Sequence, residues 1–100
     1  LVEKGADINK ENNDGWTPLF SASYNGYEDI VEYLVEKRAD INKENNDGWT
    51  PLFSASYNGY EDIVEYLVEK GADINKENND SWTPLFSACV NGCETIVKYL

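Results

Sequence analysis

A strict internal period of 33 residues is the feature that most restricts how this chain can fold. The first two copies, 1–33 and 34–66, differ only where Arg38 replaces Gly5. The third copy, 67–99, departs from the second at seven positions: Gly71, Ser81, Cys89, Val90, Cys93, Thr95 and Lys98. A period of this length is typical of a stack of similar units, in which each unit contacts only its neighbours.

Local rules predict two helices in each unit. Thr17 is suited to cap a helix that starts at Pro18, because the missing proline N–H is harmless in the first turn. The pair Asn25-Gly26 ends that helix, and Glu28 opens a second one with its charge at the positive end of the helix dipole. A short polar segment then leads to the next Asp-Gly turn. We therefore predict an all-α solenoid of stacked helix-turn-helix repeats.

One position conflicts with these rules. Gly5 and Gly71 follow the second helix of a unit, where glycine commonly supplies the left-handed residue that ends a helix. Arg38 takes the same place in the second copy. If the backbone is left-handed there, arginine costs on the order of 1 kcal/mol relative to glycine.

The period and its motifs resemble the ankyrin repeat family over essentially the whole chain. The matching positions around the second unit are Asp47-Gly48-Trp49-Thr50-Pro51-Leu52, Ser54-Ala55, Asn58-Gly59, Ile63-Val64, Leu67 and Gly71-Ala72-Asp73-Ile74-Asn75. The family's signature histidine is replaced by Phe20, Phe53 and Phe86, so its hydrogen bonds must be absent or replaced. The resemblance implies a slightly curved stack of antiparallel helix pairs with extended, hairpin-like fingers.

Family phasing divides this single array, 1–100, into four parts. They are a partial repeat 1–13, complete repeats 14–46 and 47–79, and a partial repeat 80–100. Neither end carries the polar capping unit that terminal repeats normally need. We interpret the chain as a fragment of a longer array. Alternatively the ends of two chains meet, because Leu100 falls in the register of Leu1, and this predicts head-to-tail self-association.

The resemblance also implies a protein–protein interaction module that binds its partner through the finger tips and the concave first-helix surface. Carried over by position, the partner-binding residues are Asn13, Asp14, Trp16, Tyr24, Asn25, Asn46, Asp47, Trp49, Tyr57, Asn58, Asn79, Asp80 and Trp82, with Val90 and Asn91 completing the third set. The alternative is a structural spacer or an engineered repeat scaffold without a native ligand. The near-identity of the first two copies favours that alternative.

The tryptophans recur once per unit, at Trp16, Trp49 and Trp82. Stacking would space them by roughly the 8–10 Å of packed helices. A row of exposed tryptophans flanked by tyrosines predicts a binding hot spot, because these two residue types dominate the energetics of interfaces. The other interpretation is that the rings lie over the neighbouring finger and only pack the array.

The charge balance restricts the partners. Nineteen acidic and eight basic residues give a net charge of −11, and such a surface repels phosphate backbones and anionic lipids. We therefore expect neither nucleic acid nor membrane as a partner, and a protein with a basic surface fits better. Acidity that only keeps the chain soluble is the alternative. Two cysteines give no disulfide framework, which favours an intracellular, cytoplasmic setting.

Residues suited to catalysis or metal binding are scarce. The chain has no histidine, and Cys89 and Cys93 have no further ligands to complete a zinc site. We interpret both as small buried thiols. Glu28, Asp29 and Glu32 lack the spacing of a calcium loop and predict a solvated helix face. We expect no enzyme activity, no metal and no cofactor.

Overall fold

A computed structural model describes residues 4–100, so that Leu1 and Val2, at an end predicted to lack a capping unit, lie outside the described part. Within that range the chain forms six α-helices and no strand. The helices are α1 (Pro18–Asn25), α2 (Glu28–Glu36), α3 (Pro51–Asn58), α4 (Glu61–Glu69), α5 (Pro84–Val90) and α6 (Glu94–Tyr99). They pair as α1–α2, α3–α4 and α5–α6 through tight turns, which confirms the predicted helix-turn-helix solenoid.

The first helix of each pair starts and ends as its sequence predicts. At α1 the Thr17 hydroxyl accepts a hydrogen bond from the Phe20 N–H at 3.2 Å, and the same cap recurs at α3 and α5. Gly26 ends α1 in the left-handed conformation at φ 78°. At the end of α5, Asn91 has an ordinary φ of −98° and the helix is one residue shorter than α1 and α3. These helix starts and ends are local features, since each is determined by a few neighbouring residues in the sequence.

The pairs stack along one direction, so that the molecule is elongated, with extents of 40 × 25 × 20 Å. The first helices, α1, α3 and α5, pack more closely on each other than the second helices do. Ala22, Ala55 and Ala88 are buried between them, and such small side chains let helices approach. Closer packing on one side makes the first-helix side the inner side of the stack. The repeat boundaries 14–46 and 47–79 stay predictions.

The backbone at Arg38 is left-handed, as predicted from its glycine counterparts. Its φ is 72°, against 92° at Gly5 and 101° at Gly71. The arginine side chain is exposed, and side-chain crowding therefore adds nothing to the cost of this conformation. The strain at Arg38 lies in the backbone.

We expect Arg38→Gly to raise the melting temperature by a few degrees. About 1 kcal/mol of left-handed strain is relieved, and this corresponds to roughly 4–8 °C in a domain of this size. Thermal unfolding followed by circular dichroism measures the shift. Gly71→Arg is the matched control and should lower the melting temperature through backbone strain, because Gly71 has a φ of 101°. Crowding adds nothing there, since no atom lies within 4 Å of a Cβ at that position. An unchanged or lower value for Arg38→Gly would contradict the strain.

Candidate protein-binding surface

The finger between successive helix pairs is a tight, hairpin-like turn held by an asparagine, which is buried in the second finger. In the second finger, the Asn45 N–H donates to the Trp49 carbonyl at 2.8 Å. The Asn45 side-chain oxygen accepts hydrogen bonds from the N–H groups of Asp47 and Trp49, both at 2.9 Å. Asn12 and Asn78 repeat this pattern. The turn thus has its own side-chain acceptor, although Phe53 replaces the signature histidine. This role was not predicted, because the sequence shows it only as an asparagine that recurs every 33 residues.

Adjacent fingers are joined by hydrogen bonds from two predicted binding residues. The Asn46 N–H donates to the Asp14 carbonyl at 3.0 Å, and the Asn46 side-chain amide donates to the Asn13 carbonyl at 2.9 Å. Asn79 makes the same two bonds to the second finger. The side-chain amides of Asn46 and Asn79 therefore serve the array itself. The aspartates at the tips are exposed as well, and within residues 4–100 their side chains make no bond to another finger: Asp14, Asp47 and Asp80.

Fingers approach so closely that glycine is required in the turn. A Cβ on Gly15 would lie 2.6 Å from Asn46 Oδ1, and a Cβ on Gly48 would lie 2.7 Å from Asn79 Oδ1. Both glycines also have φ of 80°. In the third finger the equivalent residue is Ser81, at φ 65°. It is exposed, and no further finger lies against it within residues 4–100.

We expect Gly48→Ser to lower the free energy of unfolding by roughly 2 kcal/mol or more. Overpacking typically costs about 1–3 kcal/mol, and the left-handed backbone adds to this. Urea denaturation measures the loss. Ser81→Gly is the control, and it should slightly raise stability because only backbone strain is relieved there. A Gly48→Ser chain as stable as its parent would show that the fingers move apart freely.

Each tryptophan packs on the first helix of its own unit. The Trp49 ring lies 4.6 Å from Phe53 and 5.1 Å from Tyr57, between ring centroids. Trp16 makes the same contacts in the first unit, and Trp82 packs on Phe86. The aromatic partners of the tryptophans thus belong to their own unit and not to the neighbouring finger. The tryptophans and tyrosines stay half-exposed and form one surface, the aromatic strip: Trp16, Tyr24, Trp49, Tyr57 and Trp82.

The asparagines after the first helices also join units. The Asn58 amide donates to the Tyr24 carbonyl at 2.8 Å, and Asn91 donates to the Tyr57 carbonyl at 2.6 Å. Asn25 differs, since its amide donates to the Ser21 carbonyl of its own helix. The asparagines other than the half-buried Asn58 stay exposed, as the tip aspartates do. The amides of Asn46, Asn79 and Asn91, however, are already bonded to a neighbouring repeat.

A match to a protein-family model identifies the family of this stack. A family model described as ankyrin repeats (3 copies) matches residues 1–78 and 42–100. The chain belongs to the ankyrin repeat family. Ankyrin repeats are general protein–protein interaction modules, and the family is generally non-enzymatic.

Curated relatives match the ankyrin array over about one repeat. The chain is 56% identical over 34 residues to the Notch-regulated ankyrin repeat-containing protein of Xenopus tropicalis, covering 34% of this chain and 30% of the relative. It is 53% identical over 34 residues to protein phosphatase 1 regulatory subunit 27 of Mus musculus, covering 34% and 22%. It is 54% identical over 35 residues to ankyrin repeat and SAM domain-containing protein 6 of Rattus norvegicus, covering 34% and 4%. The chain thus spans less than a third of each of these relatives.

The cysteines of the third repeat are more accessible than predicted. Cys89 is exposed and Cys93 is half-buried, so the prediction of buried thiols is wrong for Cys89. Ser23 and Ser56, at the equivalent position, are fully buried because a following first helix packs over them. Within residues 4–100 no helix follows α5 on that side.

The second helices carry an acidic face. Within residues 4–100, no group of three or more His, Cys, Asp or Glu residues is placed to hold a metal ion. The same residues contain no helix with the length and apolar content of a membrane span.

Partial burial raises the pKa of Glu28, and the negative charges of Asp62, Glu32 and Asp29 raise it further. The ionised form of Glu28 is therefore less favourable in the folded chain than in an unfolded one.

We expect Glu28→Gln to be more stable than Glu61→Gln at neutral pH. Both variants lose the same favourable contact with a helix dipole. The difference between their melting temperatures therefore reports the burial and charge repulsion at Glu28, which is less exposed than Glu61. A raised folded pKa means that the stability associated with this proton is lost as pH rises through that pKa. The difference in melting temperature should disappear below pH 4.5, the ordinary pKa of a glutamate. Melting temperatures across this pH range test it, and a constant gap would contradict the assignment.

Proposed function

We propose that this ankyrin array binds a protein partner through its finger tips and first-helix surface. The aromatic strip is the observation that carries the proposal. Its tryptophans and tyrosines come from successive repeats and lie half-exposed on one side of the stack. Such side chains supply most of the binding energy at protein interfaces.

The strip is held in place before any partner arrives. Trp16 and Trp49 rest on Phe20 and Phe53, which are almost fully buried. Ordering a side chain on binding costs free energy, so rings that are already fixed lose less on association. No indole N–H is hydrogen-bonded or enclosed within residues 4–100. Each therefore offers a donor to a partner, beside a large apolar face.

Charge at the finger tips supports a partner with a basic surface. Lys43 pairs with Glu11 at 3.4 Å, and Lys76 pairs with Glu44 at 3.0 Å, so these lysines and glutamates offset each other between adjacent fingers. The aspartate at each tip is left uncompensated within residues 4–100: Asp14, Asp47 and Asp80. Together with the net charge of −11, these aspartates would attract and orient a basic partner. Nucleic acid and anionic membrane would be repelled.

The matched relatives are consistent with this role. One of them is named as a regulatory subunit of protein phosphatase 1, a role that involves contact with another protein. Its match is confined to about one repeat, so the proposal takes from it the general role of binding and no particular partner.

The spacer alternative rests on other residues. Asn46, Asn58 and Asn79 use their side-chain amides to join repeats, and a spacer needs only such contacts. A spacer gives no reason for half-exposed tryptophans in successive repeats. The spacer therefore ranks second to the binding module.

Two variants with equal changes of charge test the binding surface. The first changes the tip residues Asp14, Asp47 and Asp80 to Asn, and the second changes the second-helix residues Glu28, Glu61 and Glu94 to Gln. Each removes three negative charges, one per repeat. We expect the tip variant to lose a specific partner in pull-downs from source-cell lysate, while the second-helix variant retains it. The tip variant should stay folded, because the fingers are joined through the main chain of Asp14 and Asp47.

Other outcomes separate the candidates. Loss of the partner only in the second-helix variant would place the binding surface on the opposite side and contradict the proposal. Equal weakening by both variants would show general electrostatic attraction without a defined site. If no chain, including the unmodified one, captures a specific protein, the spacer alternative is favoured.

A further inference from the structure

Each finger of the array carries the same pair of groups. In the first finger, the Asn12 side-chain oxygen accepts hydrogen bonds from the N–H groups of Asp14 and Trp16, both at 2.9 Å. Because both nitrogens bond to one oxygen, the aspartate and the tryptophan lie side by side along the main chain. Asn45 and Asn78 repeat this arrangement in the other fingers. Every finger therefore presents an exposed carboxylate and a half-exposed indole ring at one turn.

The middle repeat shows that the aromatic strip stays open between neighbouring repeats. The second finger is joined to the first through Asn46 and to the third through Asn79. Trp49 is nevertheless half-exposed, and Asp47 is exposed. Tyr57, whose ring centroid lies 5.1 Å from that of Trp49, is also half-exposed. The exposure of the strip thus follows from the fold of a repeat that has a neighbour on both sides.

Main-chain hydrogen bonds limit the distance between neighbouring fingers. The Asn46 N–H donates to the Asp14 carbonyl at 3.0 Å. Standard backbone dimensions then keep the Cα atoms of Asp14 and Asp47 no more than about 11 Å apart. The bond from Asn79 to Asp47 limits the next interval in the same way. Since packed helices are separated by roughly 8–10 Å, the carboxylates and indoles of the strip recur at an interval of about 10 Å.

The interval between fingers suits a ligand in the polyproline II conformation. This helix has three residues per turn and rises about 3.1 Å per residue, so every third side chain points the same way after roughly 9 Å. In a β-strand, by contrast, side chains three positions apart point to opposite faces. An α-helix spans about 10.5 Å between residues seven apart, which lie on one side of it. The interval therefore leaves two ligand conformations, polyproline II and α-helix.

The free indole N–H groups of the strip favour polyproline II over an α-helix. Within residues 4–100 none of them is hydrogen-bonded or enclosed, so each can donate to a partner. A polyproline II backbone has no internal hydrogen bonds, and its carbonyl oxygens are free to accept. The carbonyl oxygens of an α-helix are already used within the helix. Binding of polyproline II segments in aromatic-lined grooves is, moreover, a recurrent mode of peptide recognition.

Charge and aromatic rings together select arginine as the repeated side chain of the ligand. A guanidinium group stacks on an aromatic face and also pairs with a carboxylate. The tip aspartates make no salt bridge within residues 4–100, whereas Lys43 and Lys76 are paired with glutamates. We propose that the aromatic strip binds a proline-rich segment in the polyproline II conformation, with an arginine at every third position and one arginine per repeat. This proposal rests on the proposed function and specifies the chemistry of the partner.

Two synthetic peptides of equal composition test the spacing. Each holds three arginines and eight prolines; two prolines separate the arginines in the period-three peptide, and three prolines separate them in the period-four peptide. Their charges are equal, so general attraction to a chain of charge −11 is the same for both. We expect the period-three peptide to bind at least roughly tenfold more tightly, because the arginines of the other peptide turn to different sides. Isothermal titration calorimetry at low salt measures both dissociation constants.

Variants of the protein show whether the spacing is read at the fingers. The tip variant should lose most of the preference between the two peptides, while the second-helix variant, which has the same net charge, should keep it. Trp49→Leu keeps an apolar contact with Phe53 but removes the ring face, so it should weaken binding of the period-three peptide roughly threefold or more. Trp49→Phe restores a ring face and should recover part of this loss. Circular dichroism checks that each variant is folded.

Three results of the titrations would overturn the proposal. Equal affinity for the two peptides would show attraction by charge alone. Tighter binding of a helical peptide, with arginine at every seventh position, would indicate a helical partner. Unchanged binding of the period-three peptide to a folded Trp49→Leu chain would remove the tryptophans from the site.

The peptide titrations and the lysate pull-down fail separately. If the tip variant loses its lysate partner but neither peptide binds the parent chain, the proposed function stands and the arginine–proline ligand is wrong. If neither peptide binds and no specific protein is captured by the parent chain, both proposals are wrong.

Discussion

The contact between one repeat and the next is the interaction on which the rest of the structure depends. Helices of eight or nine residues are too short to persist alone in water. Here each pair gains its stability by covering the apolar side of the pair before it. The fingers add a main-chain hydrogen bond at each joint, from Asn46 to Asp14 and from Asn79 to Asp47. The same contact fixes the position of every tip aspartate and tryptophan relative to its neighbours.

Features governed by a few adjacent residues were predictable from the sequence. The Thr17 cap, the start at Pro18 and the end near Gly26 follow from local conformational preferences. The left-handed backbone at Arg38 followed from comparing copies, because the two other copies place glycine there. The fold itself followed from the period. The caps thus need only the residues of one repeat, whereas the conformation at Arg38 and the fold need the copies to be compared.

Features governed by position in the stack were not predictable from one repeat. Ile30 and Ile63 have the same flanking sequence, yet one is exposed and the other buried. Cys89 is exposed where Ser56 is buried, for the same reason. The candidate site shows this limit too. Asn46 and Tyr57 both match the expected binding positions, but only the tyrosine keeps its side chain clear of hydrogen bonds to the adjoining repeat.

The spacing of the contacts between repeats has a consequence for how such a gene can change length. Residues joined by hydrogen bonds between neighbouring repeats are 31 to 34 positions apart. Duplicating a whole unit of 33 residues recreates every one of these contacts, because the added unit packs through surfaces that the other units already have. Unequal recombination between the near-identical copies therefore adds or removes complete units, and the protein can lengthen or shorten without refolding what remains.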